Sequence, residues 1–217
     1  VLLALLMFWG GEQLEHLIGG RELNKEPKLR YGGAAGLLAV ALAVLLIGQP
    51  DTARKWAWLA PTKAPVLANR QVQIQPAELL TSLADDRLRV VMLDVRPENE
   101  YNLFHIKGAQ NVPLAKLPTL VPELHAEQAV NTVYVTISNE ESAATAAWKL
   151  LTAESVPNLY LLEGGINNWI ATFGQKEQTI QPTPTTTGDD TLRYTFPAAL
   201  GDRYDAASPD PHAWELK

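Results

Sequence analysis

Thr132-Val133-Tyr134-Val135-Thr136-Ile137 is a β-branched and aromatic run of strand length, and Ser138-Asn139-Glu140-Glu141 separates it from the alanine-rich stretch Ser142 to Ala153. The first run predicts a buried central strand over 132–137. The second predicts a helix over 141–153, with Ala144, Ala147, Trp148 and Leu151 sharing one side. Moving outward, Arg89 to Leu93 predicts another buried strand, Leu159 to Leu162 a short one, and Gln71 to Gln75 a strand-like run. Pro76 suits the first turn of a helix over 77–84, since its missing N–H costs nothing there. Further helices are predicted at 98–102, 117–124 and 166–173. Strands alternating with helices at these spacings imply an α/β domain, a parallel sheet covered on both faces.

Three motifs lie in this framework. They are Asp94-Val95-Arg96-Pro97-Glu98-Asn99-Glu100-Tyr101, His105-Ile106-Lys107-Gly108-Ala109-Gln110-Asn111-Val112-Pro113, and Leu162-Glu163-Gly164-Gly165-Ile166 with Trp169. In order and at these separations they resemble the rhodanese-like family, whose patterns are D-x-R-x-x-x-E-[YF], H-I-x-G-A-x-N-[IV]-P and x-E-G-G-[IWF]-x-x-W. The resemblance covers roughly residues 71 to 175, about half the chain, and implies the rhodanese-like sheet with helices on both faces. It also implies that Asp94 and Arg96 form an internal structural pair and that His105 pins a loop by hydrogen bonds. Gly108 and Trp169 belong to the same structural set. Gly164-Gly165 reads as a strand-to-helix turn needing positive φ, not as a phosphate loop.

In this family the loop after the central strand carries a nucleophilic cysteine and leads into a helix, whose N–H groups and dipole hold an anion. Matching Ser142-Ala143 to the family's S-A places Thr136 at the nucleophile position, and the chain contains no cysteine at all. The loop reads Ile137-Ser138-Asn139-Glu140-Glu141-Ser142, with two glutamates where sulfur-transferring members commonly place arginine. A hydroxyl cannot carry a persulfide, and it needs an adjacent base to attack. The loop holds no histidine. The glutamates are expected to disfavour an anionic ligand through like charge. Their structural role would be to favour the positive end of the helix, with Ser138 or Asn139 as cap. The site is therefore expected to be degenerate and the protein not an enzyme. His16, His125 and His212 are scattered without ligand spacing, so no metal or cofactor is expected.

The ends have another character. Tyr31 to Pro50 is a run of twenty uncharged residues, long enough as a helix to cross a hydrocarbon core of about 30 Å. A transmembrane helix is expected there. Val1 to Trp9 is apolar but too short to span, and reads as the end of an earlier membrane helix, with residues 10–30 as a polar link. Within that link Leu14, Leu17 and Ile18 share a face of a short amphipathic helix. Trp56 and Trp58 suit a membrane–water boundary, the alternative being packing within a helical cap. Residues 51–70 read as a juxtamembrane linker, extended at Pro61-Thr62-Lys63-Ala64-Pro65. The positive-inside count ties, with four basic residues on either side of the apolar run.

Residues 1–70 carry a net charge of +3 and residues 71–217 a net charge of −9, which recovers the overall −6. So acidic a soluble part excludes nucleic acid, whose binding needs a basic surface. Residues 176–217 read as a Pro/Thr-rich linker and an extended tail with aromatics at Tyr194, Phe196, Tyr204 and Trp214. Together these features lead to a membrane-anchored, catalytically inactive rhodanese-like protein acting as an interaction or scaffold subunit. Its expected partners are the membrane and other protein subunits. The expected location is a bacterial inner membrane, with the soluble part on the periplasmic side. Two competing expectations are a soluble appendage of a multi-helix transporter or sulfur-handling membrane protein, and a sulfurtransferase whose thiol comes from another chain.

Overall fold

A computed structural model describes residues 27–48, 50–126, 129–183 and 188–212 of the chain. The membrane-helix end expected at Val1–Trp9, the amphipathic face expected at Leu14, Leu17 and Ile18, and the tail tryptophan Trp214 lie outside the described residues. The chain divides into two compact units at Pro50.

In the first unit, helix α1 runs Pro27–Ile47. Its Leu37, Leu38, Val40, Leu42, Val44 and Leu45 are exposed. No helix among the described residues is long and apolar enough to cross a membrane.

The second unit begins with helix α2, Thr52–Ala68, capped by the Asp51 carboxylate accepting from Arg54 N at 2.8 Å. Here the expected extended linker is corrected, because Pro61 and Pro65 both lie inside the helix. Each proline removes one backbone donor. Side-on anchoring of the helix offsets that loss. Trp56 meets Trp148 edge-on at 6.0 Å, and Leu67 packs on the same cluster. Glu154 accepts from Thr52 Oγ1 at 2.7 Å and Lys55 Nζ at 2.5 Å. Tertiary contacts thus override a local propensity that reads as linker.

The sheet is parallel, in the order β1-β5-β4-β2-β3, with β1 Gln73–Ile74, β2 Arg89–Asp94, β3 Gln110–Asn111, β4 Thr132–Ile137 and β5 Leu159–Leu162. The crossovers contain helices α3 Pro76–Leu83, α4 Glu98–Leu103, α5 Leu117–Ala126 and α6 Ser142–Ala153, and α7 Gly165–Phe173 follows β5. Alternate strand residues feed opposite layers. Met92, Val135 and Leu162 join a core with Leu79, Ile166 and Trp169, while Leu93, Tyr134 and Leu161 join one with Leu117, Trp148 and Leu151. Both faces are covered, as the strand–helix alternation requires.

The tail folds back onto the first layer. After α7 the short strands β6, Gln181–Pro182, and β7, Tyr194–Thr195, pair antiparallel. Ile180, Tyr204, Ala206 and Ala207 are buried in the same core as Trp169. Trp169 Nε1 donates to Ala206 O at 2.8 Å. From 177 to 183 and from 188 to 208 the tail is therefore neither linker nor free extension, because its aromatics find a groove on their own domain.

Candidate functional site

β4 ends at Ile137 and α6 starts at Ser142, so residues 138–141 form a loop at the carboxyl end of the central strand. Its floor is built by the first motif. Asp94 and Arg96 are fully buried and paired, with Arg96 Nε 2.9 Å from Asp94 Oδ1 and Nη2 2.6 Å from Oδ2. Arg96 also donates to Phe104 O at 2.7 Å and to Asn139 Oδ1 at 3.3 Å. Asn139 Nδ2 donates to Glu100 Oε2 at 2.6 Å. Arg96 and Glu100 thus hold a single loop amide in place, with Asp94 fixing Arg96. A buried ion pair needs such satisfied neighbours to offset its desolvation.

The second and third motifs close the surroundings. His105 stacks on Tyr101 with ring centroids 3.7 Å apart, and its Nδ1 lies 2.9 Å from Tyr101 O. His105 N donates to Gly201 O, so this histidine ties the turn after α4 to the tail. Gly108 takes a left-handed φ of 86° between His105 and β3. Ile166 N and Asn167 N donate to Ser138 O and Asn139 O at 2.9 and 3.0 Å. Gly164 and Gly165 both have positive φ, 65° and 59°. A Cβ on Gly165 would lie 2.3 Å from both Ser138 O and Glu140 O. The glycine pair lets α7 begin directly against the loop.

Thr136 is fully buried inside β4. Its hydroxyl donates to Ala144 O at 3.1 Å, with Tyr160 O at 3.3 Å as a second acceptor. Ser138 Oγ accepts from Ala144 N at 3.2 Å, so Ser138 caps α6 while Asn139 bridges to the floor. Among the described residues neither hydroxyl is hydrogen-bonded to a base. The partners of Thr136 Oγ1 are peptide carbonyls, which cannot take its proton.

The glutamates correct one expectation. They stand before α6, not in its first turn, and their charges are paired. Glu141 accepts from Arg70 Nη2 at 2.8 Å and from Gly164 N at 2.8 Å. Arg70 also reaches Glu163 at 2.9 Å. The Glu141 hydrogen bond is the largest influence and raises the Arg70 pKa; burial opposes it, and Glu163 adds a lesser rise. Glu140 forms an ion pair with Arg193. Bare negative potential is thus not what guards the loop.

An aspartate carboxylate is seated on the loop backbone. Asp190 Oδ1 accepts from Glu140 N at 2.6 Å and Oδ2 from Ala143 N at 3.1 Å. Asp190 O accepts from Asn139 Nδ2 at 2.8 Å, and Asp189 Oδ2 from Ser142 Oγ at 2.7 Å. These residues, with Arg70 and Arg193, were not legible as site residues. They lie far from the loop in sequence, and Asp189-Asp190 follow a Pro/Thr run that reads as linker. Trp56 is half-buried against Trp148, whereas Trp58 is 66% exposed.

Residues 75–172 match the family described as rhodanese-like domain. With the parallel sheet, the loop after β4 and the glycine pair at α7, they are a rhodanese-like domain. An uncharacterized protein of Bacillus subtilis (strain 168), YqhL, is 32% identical over 78 residues. That stretch is 36% of this chain, and the chain spans 59% of the length of that relative. A rhodanese-related protein from Thermoplasma volcanium is similar at 24% identity and a TM-score of 0.36, over 46% of this chain and 90% of that one. The rhodanese-like domain of an Anabaena protein is similar at 22% identity and a TM-score of 0.41, over 56% and 90% respectively.

Proposed function

We propose that this chain is a membrane-anchored, catalytically silent rhodanese-like protein that serves as an interaction subunit of a membrane complex. The observation that carries the silence is Thr136, fully buried, with its hydroxyl donated to peptide carbonyls. A group that forms a covalent sulfur intermediate must be reachable and activated, and this position is neither. What supports the anchor is the uncharged run Tyr31 to Pro50 together with the exposed apolar side chains of α1. The exposed indole of Trp58, shortly after that run, suits an interfacial position. The bacterial inner membrane, with the domain on the periplasmic side, is the proposed setting.

Two experiments test the reading. Purified full chain should transfer no sulfur from thiosulfate to cyanide, and measurable turnover overturns the silence. Thr136→Cys should remain inactive as well, because the new thiol is buried under α6. Gentle detergent extraction of native membranes, followed by size separation, should place the chain in a large stoichiometric complex. Its migration alone, or its appearance in the soluble fraction, overturns the subunit reading.

A further inference from the structure

We propose that Gly188–Arg193 is an intramolecular strap that keeps the β4–α6 loop closed by supplying, through Asp190, the anion that the loop would otherwise take from outside. The N–H groups of Glu140 and Ala143 converge on a single carboxylate, one oxygen each. Ala143 lies in the first turn of a twelve-residue helix, where an anion is favoured by the unpaired donors and the dipole together. What occupies that position is a side chain from a segment almost fifty residues downstream, outside the matched domain.

The strap is held at several points. Asn167 grips it from α7, donating through Nδ2 to Thr191 O and accepting at Oδ1 from Arg193 N, both at 2.8 Å. Asn139, 3% exposed, donates to Asp190 O. Arg193 pairs with Glu140, and Asp189 takes the Ser142 hydroxyl. Asp190 itself adopts a left-handed φ of 58°, a conformation that non-glycine residues hold only when their surroundings fix them. Both faces of the loop are thereby used: Arg96 and Glu100 from below, Asp190 from above.

A tethered anion has a large advantage over a free one. Its effective concentration is on the order of millimolar or higher, so a dilute external oxyanion does not displace it. The loop should open to such an anion only when the strap is lifted or its carboxylate removed. This inference rests on the reading of the loop as silent, but its test follows binding and not turnover, so either can fail alone.

The test is amide hydrogen exchange of the full chain in detergent, followed in peptides covering 137–144. Sodium sulfate is the probe, and sodium chloride at matched ionic strength is the control. In the wild type these amides should be protected and indifferent to sulfate. In Asp190→Ala their exchange should rise about tenfold or more, since two bonds to a charged acceptor are lost. Sulfate should then restore protection saturably. Unchanged exchange in Asp190→Ala overturns the strap. Equal sulfate protection of wild type and variant, or none in either once exchange has risen, overturns its role as a stand-in for an anion. If Asp190→Ala unfolds globally, Asp190→Asn decides, because it keeps one acceptor oxygen and the fold while removing the charge. It should show an intermediate rise in exchange and weaker sulfate rescue, and wild-type behaviour in that variant overturns the proposal.

Discussion

At Gly165 the packing leaves no room for any side chain. Ser138 O and Glu140 O both lie 2.3 Å from where a Cβ would stand, and the residue already holds a φ of 59°. Backbone atoms cannot swing aside as a flexible side chain can. Gly165→Ala should therefore cost about 3 kcal/mol or more, combining left-handed strain with overpacking. Chemical denaturation of the full chain measures it, and a loss within error of zero would show that the loop yields easily. Thr136 is the opposite case, a side chain that fits because its hydroxyl finds acceptors. That the chain holds no cysteine was legible in the sequence. The burial and bonding of Thr136 were not legible, because they depend on Ala144 and Tyr160 from two other elements.

Among the elements, α2 shows why local reading fails. Two prolines in Pro61-Thr62-Lys63-Ala64-Pro65 point to extended chain, yet the helix persists. What decides is lateral contact with Trp148 of α6 and with Glu154 just after it, and no window of α2 alone contains those partners. By contrast, β4 and β5 were legible to the residue, since buried strands of a parallel sheet are continuous apolar runs bounded by loops. The α2–α6 contact has a pH signature. Hydrogen bonds from Lys55 and then Thr52 hold the Glu154 pKa below the ordinary carboxylate value. A depressed carboxylate contributes stability that is full above its unfolded pKa and is lost as pH falls through its folded one. Wild type should thus exceed Glu154→Gln in denaturation midpoint at neutral pH. The gap should close as the pH drops through the carboxylate range and below. A gap constant down to strong acid would mean that the ion pair adds nothing to holding α2.

For the whole molecule, the boundary of the folded domain lies beyond the boundary of the family match. The match ends at 172, but Ile180, Tyr204, Ala206 and Ala207 are buried beside Trp169. Composition hid this, because a tail rich in Pro and Thr with scattered aromatics cannot form a core alone. It completes one that the sheet has left open, and the same return of chain delivers Asp190 to the loop. Tyr204 is the main fastener. It is 4% exposed, lies 6.0 Å from Phe104 and 5.6 Å from Phe196 by ring centroids, and donates to Ala198 O at 2.6 Å. Tyr204→Ala should destabilise the domain by about 3 kcal/mol, as large aromatic truncations in cores do. It should also raise hydrogen exchange in the 188–193 strap, because both belong to one returning segment. Tyr204→Phe should cost about 1 kcal/mol, the worth of the lost hydrogen bond. If Tyr204→Ala left the denaturation midpoint unchanged, the tail would be an ornament on a domain complete at 172, and the strap would have to be held by its own contacts alone.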